Sequence, residues 1–198
     1  MTTAGTRKEQ RHELTRRQIL DAAWQLAEER GVAGLSLREV ARTVGMQAPS
    51  LYTYFESKDG LFDAMFTEGY RQLGLARESW SEAIDGLDPV NALAQVIAEW
   101  IRFCQESVAR YQIMFTKAIP GWEPSADAYS TSTRDYARML DALGPLGIAD
   151  KDDIDLYTAV AAGLAAQQLA NDLEGDRWIR LAPVAAQMLY DNIKRRKE

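Results

Sequence analysis

Three observations predict an all-helical protein. Alanines and leucines number 29 and 20 against 8 valines and 10 isoleucines, a bias toward strong helix formers over β-branched strand formers. Apolar residues recur at three- and four-residue spacing in one segment after another. The segments are separated by Gly, Pro and acidic residues placed as helix stops and starts. With 198 residues, 46% hydrophobic and 26% charged, the chain is long and apolar enough to bury a sizeable core.

The composition also excludes chemistry. One cysteine, Cys104, and one histidine, His12, rule out Cys/His zinc sites, CxxC redox centres, a disulfide framework and a histidine-based triad within one chain, so no enzyme activity and no cofactor are expected. No apolar run approaches the ~20 residues that span a bilayer, and the polar opening Met1 to Gln10 has no signal-peptide core, so a cytoplasmic protein without membrane contact is expected. The net charge of −6 argues against a uniformly basic surface, yet it is unevenly spread. Residues 1–60 hold nine cations and eight carboxylates, whereas residues 61–198 hold 14 and 21. Arg7, Lys8, Arg11, Arg16 and Arg17 face only Glu9 and Glu13 in the opening segment, which reads as a basic arm or a solvated terminus.

The first helix is expected from Arg16 to Arg30, with Ile19, Ala22, Ala23, Leu26 and Ala27 on its buried face and Gly31 as its stop. Ser36 and Glu39 have the spacing of a capping box, and Leu37, Val40, Ala41 and Val44 continue a second helix to Gly45. Pro49 suits the first turn of a third helix, on which Leu51 and Phe55 form the buried side before Ser57 caps the next element. Two short helices joined by a Gly-containing turn make a helix-turn-helix. Ala48, Pro49, Ser50, Tyr52, Thr53 and Tyr54 are then left for the outer face, where small residues permit close approach to a groove and hydroxyls can meet phosphates or base edges. A three-helix packing motif with surface tyrosines accommodates the same spacing.

The ordered series Ile19-Leu20-Asp21-Ala22-Ala23, Gly31-Val32, Leu37-Arg38-Glu39-Val40-Ala41, Gly45-Met46 and Leu51-Tyr52-Thr53-Tyr54-Phe55-Glu56-Ser57-Lys58 resembles the amino-terminal domain of TetR-type (TetR/AcrR) transcriptional regulators over about residues 16 to 66. The resemblance implies a homodimer that sets one third helix per subunit into successive major grooves of a pseudo-palindromic double-stranded DNA operator. By the same resemblance Tyr52 and Lys58 grip phosphates, Ala48, Pro49, Ser50, Thr53 and Tyr54 approach bases, and Arg38 reaches phosphate or a base edge. Gln47 stands where a small Ser or Thr cap is common, so it either touches DNA itself or leaves the third helix poorly capped. The implied layout is a basic flexible arm over 1–15, a helix-turn-helix domain over 16–60, and a helical effector-binding and dimerisation domain over 61–198.

After Ser57 a fourth helix is expected to carry Leu61, Met65 and Phe66, the connecting lever in regulators of this type. Asp88-Pro89 opens a further helix with Leu93, Ile97, Trp100, Ile101 and Cys104 on one face. The stretch Trp100 to Phe115 is also similar to a carboxy-terminal domain found in one branch of the family. Trp100, Phe103, Tyr111, Met114, Phe115, Trp122, Tyr129, Tyr136 and Met139 concentrate large adaptable side chains here, the material of an apolar pocket or of ordinary core. Eight of them, all but Tyr129, are the candidates for binding a small apolar or amphipathic effector. Among the charged residues of the segment, Arg102, Arg110, Asp127, Arg134 and Asp135 either orient such a ligand or face water.

Asp150 to Asp153 start the next helix, along which Leu156, Ala159, Val160, Gly163, Leu164, Gln167 and Ala170 recur. The last helix carries Trp178, Leu181, Ala185, Met188, Leu189 and Ile193 and ends in Lys194-Arg195-Arg196-Lys197, read as a solvated cap. Small residues Ala159, Ala162, Gly163 and Ala166 allow close helix approach, and the resemblance implies that these two helices pair with their twins. The function expected is a repressor released from its operator by a small molecule, the alternative being a ligand-independent activator or architectural DNA-binding protein.

Overall fold

The computed structural model describes residues 4–197. All its regular elements among those residues are helical: α1 (Ala4–Arg30), α2 (Leu37–Thr43), α3 (Ala48–Leu51), α4 (Lys58–Ala83), α5 (Pro89–Glu106), α6 (Val108–Phe115), α7 (Ala126–Leu143), α8 (Lys151–Asn171) and α9 (Ala182–Lys197). Single 3₁₀ turns stand at Val32–Gly34, Gly144–Leu146 and Ile179–Leu181. The all-α class is as expected. The first helix differs, because it begins at Ala4 and so takes in the described part of the segment expected to be a flexible arm; residues 1–3 of that arm lie outside the described residues.

The chain divides into two compact units. The first joins the residues up to Gly69 with Ala109–Tyr129. Its core takes Ile19 and Ala23 from α1, Val40 and Ala41 from α2, Leu51 from α3, Phe62 and Met65 from α4, and Ile113 from α6. Each large apolar side chain buried this way contributes about 1.5–3 kcal/mol relative to exposure. Residues 109–129 group with this unit, and local contacts show how they are held in it. The Ala109 amide at the start of α6 donates to Glu28 Oε2 at 3.3 Å, and the Ser125 amide just ahead of α7 donates to Asp63 Oδ1 at 3.2 Å. Both carboxylates thus meet the positive ends of helices. Gly69 of α4 lies so close to α6 that a Cβ there would come within 2.6 Å of Met114 Sδ.

The second unit joins Tyr70–Val108 to the residues from Ser130 onward. α5 is its centre, packed on both α8 and α9, with Leu93, Ile97 and Ile101 fully inside. Asp88 caps α5 by accepting from the Val90 and Asn91 amides at 3.1 Å each. These bonds favour the ionised form and hold the Asp88 carboxyl below its ordinary range. Alanines 161 and 165 of α8 and 182, 185 and 186 of α9 are buried, which lets the helices approach closely.

Other details depart from the sequence expectations. Ser36 precedes α2 with no side-chain cap bond, and the Glu39 carboxylate, the other half of the expected box, pairs with Arg30 at the end of α1 and lies 3.7 Å from Arg42. Trp178 precedes the final helix, which starts only at Ala182. The terminal basic run is not merely solvated: Arg196 pairs with the buried Asp153 and lies 3.9 Å from Asp152. Finally, the α8 residues picked out by spacing lie mostly outward, Leu156, Ala159, Gly163, Gln167 and Ala170 being exposed, while Ile154, Tyr157, Ala161, Ala165 and Gln168 form the buried side. α8 carries apolar residues on two faces, and spacing alone found the outer one.

Candidate nucleic-acid interface

The turn between α2 and α3 depends on Gly45, whose φ of +72° is a left-handed conformation that a side chain disfavours. The Gly45 amide donates to Arg42 O at 3.1 Å and the Met46 amide to Ala41 O at 2.9 Å, so α2 ends in hydrogen-bonded carbonyls and the chain reverses. α3 follows as a single helical turn with Pro49 near its start. Gln47 stands at the cap position with extended backbone and no side-chain cap bond, which leaves its amide free to face outward, where it is exposed. Backbone bonds from the Tyr54 and Phe55 amides to Leu51 O, at 2.9 and 3.1 Å, carry the coil one turn further. Leu51 and Phe55 are buried and anchor this turn.

The opposite side is open. Arg38 in the first turn of α2, with Gln47, Pro49, Ser50, Tyr52 and Thr53, is exposed, and Ala48 is half-buried. Tyr52 has 53% of its surface free. The Thr53 hydroxyl donates to the Ser50 carbonyl at 2.7 Å and keeps its acceptor capacity. Lys58 is the first residue of α4, where Ser57 Oγ accepts the Gly60 amide at 3.0 Å; its Nζ lies 5.2 Å from the Phe62 ring centroid. An ammonium beside free helix amides is suited to an anion.

Tyr54 departs from the outer-face expectation. It is half-buried, and His12 of α1 stacks on its ring with centroids 4.6 Å apart and planes 25° from parallel. His12 Nε2 also lies 3.4 Å from the Thr53 carbonyl oxygen, which accepts when that nitrogen carries the proton. One turn on, the Arg16 guanidinium lies 4.9 Å from the Phe55 centroid. Sequence reasoning missed His12 as part of this site. The available signal was its register, since His12, Arg16 and the buried Ile19 follow one another at four- and three-residue spacing on α1.

Of the eight effector candidates, four fall in each unit. In the first, Trp122 meets Phe62 and Phe66 edge-on at 5.6 and 6.1 Å, Met114 is buried against Gly69, and Tyr111 lies 6.0 Å from the half-open Phe115. In the second, Trp100 stacks with Phe103 at 6.4 Å and Phe103 meets Trp80 at 6.2 Å, Met139 is core, and Tyr136 is exposed. The second unit also holds a cleft of about 660 Å³ lined by Arg77, Trp80, Ile84, Val96, Arg138 and Leu146 among others, none of them among the eight. Arg77 is fixed there by Asp135, with Nε to Oδ1 at 3.2 Å and Nη2 to Oδ2 at 3.4 Å. Burial pushes the Asp135 carboxyl up from its ordinary range, and Arg77 opposes the shift without cancelling it. Of the other charged candidates, Arg102 pairs with Glu99 at 2.8 Å, Arg110 is buried, Arg134 Nε donates to Ser130 O at 3.3 Å, and Asp127 is exposed. No periodicity marks Arg77 or Trp80, because both enter the cleft by where α4 runs. Among the described residues no group of three or more His, Cys, Asp or Glu could hold a metal ion, and no helix is long and apolar enough to cross a membrane.

A supporting helix, a short second helix, a glycine turn and a polar one-turn third helix define a helix-turn-helix protein of the kind that reads duplex DNA. Residues 19–65 match the family model for bacterial regulatory proteins of the tetR family. The HTH-type transcriptional regulator Rv1816 of Mycobacterium tuberculosis is 31% identical over 172 residues, covering 82% of this chain and 64% of the relative, so the chain spans a little under two thirds of that protein's length. A TetR family transcription regulator from Marinobacter aquaeolei superposes with a TM-score of 0.65 at 21% identity, over 92% of this chain and 97% of the other. The Bacillus subtilis regulator FadR, solved in complex with stearoyl-CoA, gives 0.65 at 17% identity over 88% and 97%. The chain belongs to the TetR family.

Proposed function

We propose that the chain is a sequence-specific DNA-binding transcriptional regulator, acting as a repressor that a small molecule releases from its operator. The observation that carries this reading is the outward set Gln47, Pro49, Ser50, Tyr52 and Thr53 mounted on the buried pair Leu51 and Phe55. In this reading Tyr52, Lys58 and Arg38 take phosphates, while Gln47, Ala48, Pro49, Ser50 and Thr53 approach base edges. Tyr54, with one face against His12, supports the reading turn more than it touches bases.

Dimerisation through α8 and α9 is supported by the exposed apolar residues Leu156 of α8, Val184 and Met188 of α9, and Leu173 and Leu181 of the link between them, beside the exposed small residues Ala159, Ala162, Gly163 and Ala166 of α8. Two heads on one dimer suit a pseudo-palindromic operator. An effector of apolar or amphipathic character is supported by the aromatic and methionine content of the middle segment and by the acyl-CoA complex of the similarly folded FadR. Such a ligand weakens DNA binding only by its preference for the released state, typically by about 1–3 kcal/mol. α4, which supplies residues to both units, is the element through which that preference acts.

The test is a binding titration on duplexes selected from a random-sequence pool, at two salt concentrations, with unrelated duplex as competitor. A salt-dependent complex that survives the competitor is expected, and the Tyr52→Phe, Lys58→Ala double variant should bind every duplex at least tenfold more weakly. Equal binding by the double variant would overturn the phosphate roles. Absence of any selected duplex would overturn the function.

A further inference from the structure

The amino-terminal half of α1 carries a feature that the reading turn does not explain. Residues 7–14 are all exposed, so about two helical turns stand outside the core. A helix of that length without a buried face is marginal in water and needs a partner surface. Its rotation is nevertheless fixed, because His12 lies on Tyr54, Arg16 over Phe55, and Ile19 in the core.

That rotation sorts the charges. At about 100° per residue, and counting from His12, Lys8, Arg11 and Arg7 fall at roughly −40°, −100° and −140°, whereas Glu9 and Glu13 fall at roughly +60° and +100°. One flank of the extension is therefore cationic and the other acidic. Among the described residues Arg7, Lys8 and Arg11 make no ion pair with a carboxylate. Lys8 and Arg7 lie about 6 and 7.5 Å along the helix axis from His12, which itself touches the turn next to Tyr52. Their side chains thus start within two helical turns of the residues that meet the duplex, and duplex DNA offers one phosphate charge per ~1.7 Å of axis.

We propose that this cationic flank, Arg7, Lys8 and Arg11, is a second contact with the same DNA, taking phosphates beside the half-site read by α3. The His12–Tyr54 stack holds it in register, which makes His12 a positioning residue. The contact adds affinity and salt dependence without sequence preference, because it meets only the backbone. The inference rests on the DNA-binding reading above and deepens it.

The experiment measures affinity across a salt series for the full chain and for Arg7→Gln, Lys8→Gln, Arg11→Gln together, on a duplex selected by the unmodified protein. The triple variant should lose about 0.9 from the log–log salt slope for each phosphate contact removed, up to about 2.7 per protomer, and should select the same sequence. Glu9→Gln with Glu13→Gln, on the opposite flank, should leave the number of contacts and the slope unchanged. His12→Ala should lower the slope in part, and His12→Phe, which keeps a stacking ring, should restore it. Far-ultraviolet circular dichroism of each variant establishes that it is folded. An unchanged slope in the folded triple variant overturns the inference and leaves the DNA-binding reading standing. A parent protein that binds no duplex overturns both.

Discussion

Gln168 shows how one polar side chain can organise a turn. It is completely buried on α8, where its Nε2 donates to the Asp172 carbonyl and, at 3.0 Å, to that of Gly175, while its Oε1 accepts the Trp178 amide at 2.8 Å. Gln105 of α5 donates to Leu173 O and, at 2.8 Å, to Gly175 O. The link from α8 to α9 is therefore bound on two sides by amides. Gln168→Leu leaves the Trp178 amide without its partner, at about 1–3 kcal/mol for a buried orphan, and should lower the denaturation midpoint accordingly at fixed protein concentration. Gln167→Leu, one residue away and exposed, should change it little. Tyr157 gives a pH-dependent counterpart. Burial pushes its phenol up to about 12, the nearby Arg77 opposing the shift. Its folded value lies above its unfolded one, so its contribution is complete below about pH 10 and is lost as pH rises toward 12. The Tyr157→Phe variant should lose less stability than the parent across that window, as measured by urea unfolding at pH 9 and at pH 11.5.

At the scale of elements, α9 offers the sharpest separation of core from surface. Ala182, Ala186, Leu189 and Ile193 are buried within the unit, whereas Val184 and Met188 retain 60% and 59% of their surface. A glutamate at either exposed position costs an isolated protomer little, typically within about 0.5 kcal/mol, yet places a charge in the helix face proposed to pair with a second copy. Val184→Glu with Met188→Glu should give a folded monomer by sedimentation, with unchanged helicity and much weaker operator binding. A dimer of unchanged affinity in that variant would remove α9 from the interface. Legibility also varied among elements. α5 was legible from Asp88-Pro89 and its apolar stripe, because its cap is made by neighbours in sequence. The capping box at Ser36 was not: its Glu39 carboxylate pairs with Arg30, nine residues back, and Ser36 makes no side-chain cap bond. The length of α1 was missed for a related reason: its first turns bury little, and apolar spacing marks a helix only where a face is buried.

For the molecule as a whole, the helical class, the three-helix head and the family could be read before any coordinates. Helix propensity, the spacing of Ile19, Val40, Leu51 and Phe55, and the glycine required at position 45 are local constraints, and local constraints are written in consecutive residues. The outer face of this turn followed from them by subtraction, since burying Leu51 and Phe55 leaves Pro49, Ser50, Tyr52 and Thr53 outside. What needed the tertiary structure was every decision taken between distant segments. Trp122 under Phe62, residues 109–129 within the first unit, His12 on Tyr54, Arg77 on Asp135, and Arg196 on Asp153 each join positions tens of residues apart. A sequence specifies which side chains seek burial or a partner. Which of several eligible partners each one meets is decided by packing, because only close contact separates their energies.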